Sequence, residues 1–296
     1  HTRFLPVSWA SEMCIRDRVK MIRNIRPARP ALRTALVAAM LSVPMGAMAD
    51  ELVIGVTPGA LADSIEVAAD EARGAGLDVR VVEFSDWTTP NLALDAGDLD
   101  LNYFQHKAFL DNAIAETGYE LVSVGLGLLP NIGLYSTRYP SFDALPDGAR
   151  VGVASDPVNQ GRGLLLLAQA GLITLRDGVA SRGTLDDIVA NPRNIELIEI
   201  EGPQLVRALD DVDLAQGYPA HYVNAGKPEI AGSALLYSGV ADSDFAIRFV
   251  SRKDNADDAD IARFIQIYQQ SPAVRAEISR AYADNDALYS LPWENR

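Results

Sequence analysis

The chain predicts an α/β fold in two lobes, each a mainly parallel sheet flanked by helices, joined by two hinge crossings. Three observations predict it. Strand-like and helix-like runs alternate from residue 51 onward. An apolar, β-rich stretch broken by Pro130 and a second one at residues 245–251 (FAIRFVS) supply the two crossings. Two polar-aromatic motifs, residues 102–106 (NYFQH) and 156–162 (DPVNQGR), fall where a strand gives way to a helix, the place where open α/β sheets hold small ligands.

The elements follow in order. Residues 51–57 (ELVIGVT) form a β-branched run stopped by Pro58 and Gly59, and residues 64–75 carry Ile65, Ala68, Ala69 and Ala72 at helical spacing. Residues 77–84 (LDVRVVEF) alternate as a strand does. Strand, helix, strand is a βαβ unit, and it requires a parallel sheet. Residues 89–96 then read as a helix entered at Pro90 and closed by Gly97, 99–103 as a short strand and 104–117 as a helix. Residues 121–129 and 132–136, either side of Pro130, make the first crossing. A second set begins with a strand at 150–154 (RVGVA) and a buried helix at 161–170. Short helices at 184–190 and 204–209 alternate with strands at 195–200 (IELIEI) and 212–215. After the return crossing, 259–270 and 272–283 read as closing helices. Periodicity alone fits a single doubly wound domain equally well.

Residues 21–49 have the form of a secretory signal peptide. Arg23, Arg26, Arg29 and Arg33 precede a short apolar run, and Ala47 and Ala49 suit a cleavage site before Asp50. Residues 1–20 read as an artefactual or unstructured extension. The remaining chain divides into lobe 1 (50–136 plus 246–296) and lobe 2 (137–245). Without the first 49 residues, 18 Lys+Arg face 38 Asp+Glu, a net charge of −20 in place of −14. So acidic a surface argues against nucleic acid and anionic lipid as partners. Cys14, the only cysteine, lies in the extension, which leaves no disulfide, thiol nucleophile or lipid-bearing cysteine and predicts a protein free in the periplasm.

Candidate binding residues cluster on the two motifs. Tyr103, Phe104 and His106, with Trp87 one unit earlier, offer rigid apolar surface with polar tips, suited to a partly apolar ligand. Each has a structural alternative, as core, sheet-edge cover or satisfied histidine. Asn159 and Arg162 sit where Gly161 begins a helix, whose free N–H groups and positive end, beside a guanidinium, suit a carboxylate. The alternative is that Asp156 caps the helix and Arg162 pairs with a surface acid. Tyr135, Tyr218 and His221 are candidates by position. Asp254, Asp257, Asp258 and Asp260 lack an EF-hand's glycine and terminal glutamate and read as a helix cap, so neither metal nor other cofactor is expected. Nor does any G-x-S-x-G, H-E-x-x-H or P-loop motif occur.

Long ordered stretches carry a resemblance: VEFSDWTTPNLALDAGDLDLNYFQH, LVSVGLGLLPNIGLYS, DPVNQGRGLLLLAQAGLITLRDG and LDDVDLA. From about residue 52 to 293 the chain resembles the methionine-binding NlpA/MetQ family of substrate-binding proteins for ABC importers. The resemblance implies a type II periplasmic-binding fold without catalytic activity. It implies an amino-acid-like ligand, an ABC permease with cytoplasmic ATPase as partners, and a monomer. Trp87, Tyr103, Phe104 and His106 would face the ligand side chain, with Asn159 and Arg162 on its head group. Many members carry a lipid-bearing cysteine that is absent at this cleavage site. Where the family usually has an asparagine-containing turn, this chain has Tyr218-Pro219-Ala220-His221, which reopens the ligand's identity among methionine, a related amino acid, a methionine derivative or a short peptide. A ligand-sensing adaptor and an exported hydrolase are the rival readings.

Overall fold

In this computed structural model, residues 51–179 and 183–295 are described. The segments read as extension (1–20) and signal peptide (21–49) lie outside the described residues.

Strand β1 (Leu52–Val56) is buried at every position, as befits a central parallel strand covered on both faces. Helix α1 (Ala60–Gly74) begins at Ala60 rather than Ser64, because Gly59, at φ 93°, turns the chain straight out of the strand. Strand β2 (Val79–Glu83), helix α2 (Thr89–Ala96), strand β3 (Leu101–His106), helix α3 (Lys107–Thr117) and strand β4 (Leu121–Leu126) complete the first run. Past the short β5 (Leu129–Pro130), the chain enters β6 (Gly133–Tyr135), β7 (Arg150–Ala154) and α4 (Pro157–Gln169). A two-stranded ladder of β8 (Thr174–Leu175) and β9 (Ile188–Ala190) precedes β10 (Glu196–Ile200), α5 (Leu205–Ala208) and β11 (Leu214–Gly217). Helices α6 (Pro219–Asn224) and α7 (Pro228–Ala231) lead to β12 (Leu236–Tyr237). Strand β13 (Ile247–Arg252) returns to the first sheet, helices α8 (Ala259–Gln270) and α9 (Pro272–Ala281) pack on α1, and β14 (Tyr289–Ser290) pairs with β5.

The two large sheets run β2-β1-β3-β13-β4 and β10-β7-β11-β6-β12. As expected they are mainly parallel in strand direction, with one strand reversed in each, β13 in the first and β6 in the second, which makes both mixed. In each, three parallel strands are extended by antiparallel pairings, through β13 in the first and β6 in the second. The reason is directional. The parallel strands end at the space between the sheets, so a strand arriving from the other sheet enters at that end and must run back. The registers agree: Ile247 at the start of β13 faces His106 at the end of β3, and Gly133 at the start of β6 faces Gly217 at the end of β11. Residues 133–135, grouped with the first lobe by sequence, therefore pair within the second sheet.

Two further expectations change. Residues 184–190, expected helical, are a 3-10 turn closed by a Thr184–Asp187 capping box and then strand β9. Strand β3 continues to His106 instead of stopping at Tyr103, and its pairing with β13 slips between Arg248 and Phe249, leaving Phe104 as a bulge. The acidic run behaves as read: Asp258 caps α8, accepting from the N–H groups of Asp260 and Ile261.

Tyr103 sits before the bulge and points into the first core, where its ring stacks on Phe249 at 4.3 Å. Its hydroxyl joins a chain whose proton directions are fixed from both ends. The Leu128 N–H donates to Tyr103 (3.0 Å), and Ser64 Oγ donates to the Leu61 carbonyl (2.9 Å). Tyr103 Oη–H therefore donates to Tyr268 Oη (2.9 Å), which donates to Ser64 Oγ (3.2 Å). Every member is satisfied, and the chain ties β3, α1, α8 and the first crossing together. Tyr268→Phe breaks it in the middle, and a loss of about 1–3 kcal/mol in urea-unfolding free energy is expected; an unchanged midpoint would contradict the relay.

Candidate functional site

The ends of the parallel strands from both sheets converge on one cavity. Thr57 and Pro58, at the end of β1, form part of the first wall with Trp87, Phe104 and His106. Asn159, Arg162, Tyr218 and His221 form the second. Phe109, Ile247 and Tyr282 complete the apolar lining.

The first wall is held by side-chain capping. Asp86 Oδ1 accepts from the N–H groups of Thr88 and Thr89 (2.8 Å each), which lowers its pKa and fixes the loop carrying Trp87. Trp87 crosses to the second wall. It meets Tyr218 edge to face at 5.9 Å and lies on Gly202, where any Cβ would overlap its ring. Beneath the loop, Asn91, Asn102 and Gln105 form a buried amide cluster. Asn102 is thus spent on the scaffold.

His106 joins the two walls. Its Nδ1 caps α3 by accepting from the Phe109 N–H (3.3 Å), so the proton resides on Nε2, which donates to Asn159 Oδ1 (3.2 Å). Asn159 is oriented in turn, because its Nδ2 donates to Asp156 (3.1 Å) while Asp156 caps α4 through the Asn159 N–H (2.9 Å). Gln216 completes the support, accepting from the Ala154 N–H (3.1 Å) and donating to the Asn159 carbonyl (3.0 Å). Gly163 makes room for it, since a Cβ there would overlap its side chain.

Arg162 is 5% exposed, and its guanidinium lies 4.1 Å above the Phe245 ring. Among the described residues no carboxylate lies within ion-pair distance of it. Burial lowers its pKa, opposed by Tyr218 and by the charges of Asp242 and Asp156. The Tyr218 hydroxyl is also buried and has no hydrogen-bond partner; Gln216 is near enough to affect its acidity, not placed to bond it. Burial raises that phenol's pKa, against the pull of Arg162.

Of the sequence candidates, Trp87, Phe104, His106, Asn159, Arg162 and Tyr218 line this one cavity, as does His221. Tyr103 and Tyr135 do not. Tyr103 is turned inward before the bulge, and Tyr135 packs on Tyr222 at 4.5 Å and donates to the Ala231 carbonyl (3.1 Å). The expectation that Asp156 caps the helix holds, but its companion, Arg162 paired with a surface acid, does not. Sequence reasoning missed Phe109, Phe245, Tyr282 and Gly202. Phe109 stands one helical turn after His106 and had a readable signal; the others come from distant parts of the chain. Among the described residues no cluster of three or more His, Cys, Asp or Glu could hold a metal ion.

The model of the NlpA lipoprotein family matches residues 52–289. The chain belongs to that family. It is 42% identical over 228 residues to the D-methionine-binding lipoprotein MetQ of Salmonella typhi, covering 75% of this chain and 83% of the relative. Among solved structures it is similar to the methionine-binding protein MetQ, with 39% identity, a TM-score of 0.74 and coverage of 79% of this chain and 95% of that one. A nutrient-binding protein of Burkholderia cenocepacia bound to methionine matches at 33% identity and a TM-score of 0.73, over 78% of this chain and 97% of that one. The NlpA-family fold is thus the two-lobe type II periplasmic-binding architecture.

Burial, with the charge of Arg162, holds the His106 imidazole down to about 3, and burial holds His221 down to about 4. Both lie below the ordinary 6.5, so between that value and about 4 the unfolded chain binds protons that the folded chain refuses. Stability falls as pH falls through this window; Asp156, raised by burial, acts in the opposite sense. The urea midpoint is expected to drop between about pH 7 and pH 4.5 and to drop less in His221→Gln. A profile identical in the variant would contradict a neutral, partly buried His221.

Proposed function

We propose that this NlpA-family chain is the periplasmic substrate-binding protein of an ABC importer, taking methionine or a related amino acid or short peptide between its two lobes. Residues 50–136 with 246–296 and residues 137–245 are the lobes that close on the ligand, apart from strand 133–135, which is anchored in the second sheet. The observation that carries this reading is the buried Arg162 guanidinium, which opens on the cavity and has no carboxylate at ion-pair distance among the described residues. A ligand carboxylate supplies the missing charge through paired hydrogen bonds. Trp87, Phe104 and His106 take the side chain, and Asn159 and Tyr218 stand beside the head group.

An exported hydrolase lacks support at the same residues. Both nitrogens of His106 are committed, to the Phe109 N–H and to Asn159, so it is not poised as a general base. The family supports delivery to a permease with its cytoplasmic ATPase. On this reading the chain works in the periplasm, as a monomer.

Calorimetric titration with methionine, methionine derivatives and dipeptides should reveal a ligand, and Arg162→Ala should weaken carboxylate ligands by about 2–4 kcal/mol. Turnover of any of them, or unchanged affinity in the variant, would sink this reading. Gly202→Ala, which intrudes on the Trp87 ring, should lower affinity while leaving the urea-unfolding free energy within about 1 kcal/mol of wild type; undiminished binding would remove Trp87 from the closed state.

A further inference from the structure

Two further spaces border the ligand cavity. Thr57, Pro58, Trp87 and His221 are shared with an outer cleft. Arg162 is shared with a groove formed by α3, α4 and residues 238–245, the connection from β12 to β13. Among the described residues no other lines both the cavity and that groove. The guanidinium that faces the ligand therefore also faces a connection between the two sheets.

That connection is built against Arg162. Asp242 caps the 3-10 turn Ser243–Phe245, its Oδ1 accepting from the Asp244 N–H (3.0 Å). The turn ends on Phe245, whose ring lies 4.1 Å from the guanidinium and meets His106 edge to face at 5.3 Å. Asp242 is exposed and lines the groove but not the cavity, so its charge bears on the guanidinium more than on a ligand. Burial lowers the Arg162 pKa, and Tyr218, Asp242 and Asp156 act against that. The other acids nearby are engaged. Asp156 is held by the Asn159 N–H and side-chain amide, Asp111 pairs with Lys107, and Asp244 pairs with Arg248 (3.9 Å).

The two walls are joined here by the His106–Asn159 bond and by Trp87 on Gly202, and in this closed arrangement Asp242 forms no ion pair with Arg162. Parting the walls turns the connection that carries Asp242 relative to the helix that carries Arg162. A guanidinium that loses its anion while still withdrawn from water is costly, and the long arginine side chain can follow the groove it already lines.

We infer that Asp242 is a positioning residue for ligand release: as the lobes part, its carboxylate takes the Arg162 guanidinium from the carboxylate of the ligand. Affinity is then set by an exchange of two anions on one cation. The inference rests on the binding-protein reading above.

The test is calorimetric titration of wild type and Asp242→Asn, freed of co-purifying ligand by unfolding and refolding. The probes are L-methionine, D-methionine, glycyl-L-methionine and, lacking the carboxylate, L-methioninamide. Asparagine keeps the cap on the Asp244 N–H and removes the charge. The variant should bind the carboxylate probes that wild type binds at least about fivefold more tightly, and L-methioninamide no more tightly than wild type does. In stopped-flow tryptophan fluorescence, release of those carboxylate probes should slow. Asp244→Asn, on the same turn but paired with Arg248, should leave affinities within about twofold. Equal or weaker carboxylate binding in Asp242→Asn, an equal gain for L-methioninamide, unslowed release, or the same gain in Asp244→Asn would overturn the inference and leave the binding-protein reading intact. No binding of any carboxylate probe by wild type would overturn both.

Discussion

A guanidinium withdrawn from water at Arg162, with an aromatic ring beneath it and, among the described residues, no carboxylate at ion-pair distance, is the constraint on which the rest of the site depends. Removing such a charge from water costs several kcal/mol, and a cation–π contact such as that with Phe245 returns only about 0.5–2 kcal/mol. The fold tolerates the difference because the guanidinium faces a cavity instead of being sealed in a core. An anion entering that cavity recovers much more than it would at the surface, where water screens the pair. Binding energy is thereby concentrated on one wall, and the opposite wall is free to be apolar.

The surroundings of Arg162 are arranged by caps and amides rather than by ions. Asp156 caps α4 and turns Asn159, Asn159 receives His106 from the other wall, and His106 caps α3. Gln216 ties this group to the end of β7. One connected set of hydrogen bonds thus spans both sheets at the point where their parallel strands end. The mixed sheets follow from the same geometry, because each crossing strand enters from the cavity side and must run antiparallel.

Much of this was legible in the sequence because it depends on local chemistry. The βαβ grammar placed β1, α1 and β2, and helix-entry signals placed Arg162 and Asn159 around the start of α4, which begins at Pro157 after its cap Asp156 rather than at Gly161. The bulge at Phe104 was not legible, since it is a property of the pairing of β3 with β13, whereas the alternation of a strand that runs on to His106 already sets Tyr103 on the face opposite Phe104 and His106. Tyr135 failed for a different reason: a tyrosine at a crossing can face the cavity or the core, and its partners Tyr222 and Ala231 lie some ninety residues away. Phe245 and Gly202 shape the site through single long-range contacts that leave no periodic signal. Tyr218 was visible as a departure from the family's turn, but its unpartnered hydroxyl belongs to the three-dimensional arrangement.

The most direct test of the central claim is a crystal structure of the protein grown with its tightest-binding carboxylate ligand. The account predicts both carboxylate oxygens within hydrogen-bond distance of the Arg162 guanidinium, with Phe245 still beneath it and the apolar end of the ligand against Phe104 and Trp87. A ligand whose carboxylate points into the outer cleft, leaving Arg162 unengaged, would contradict it.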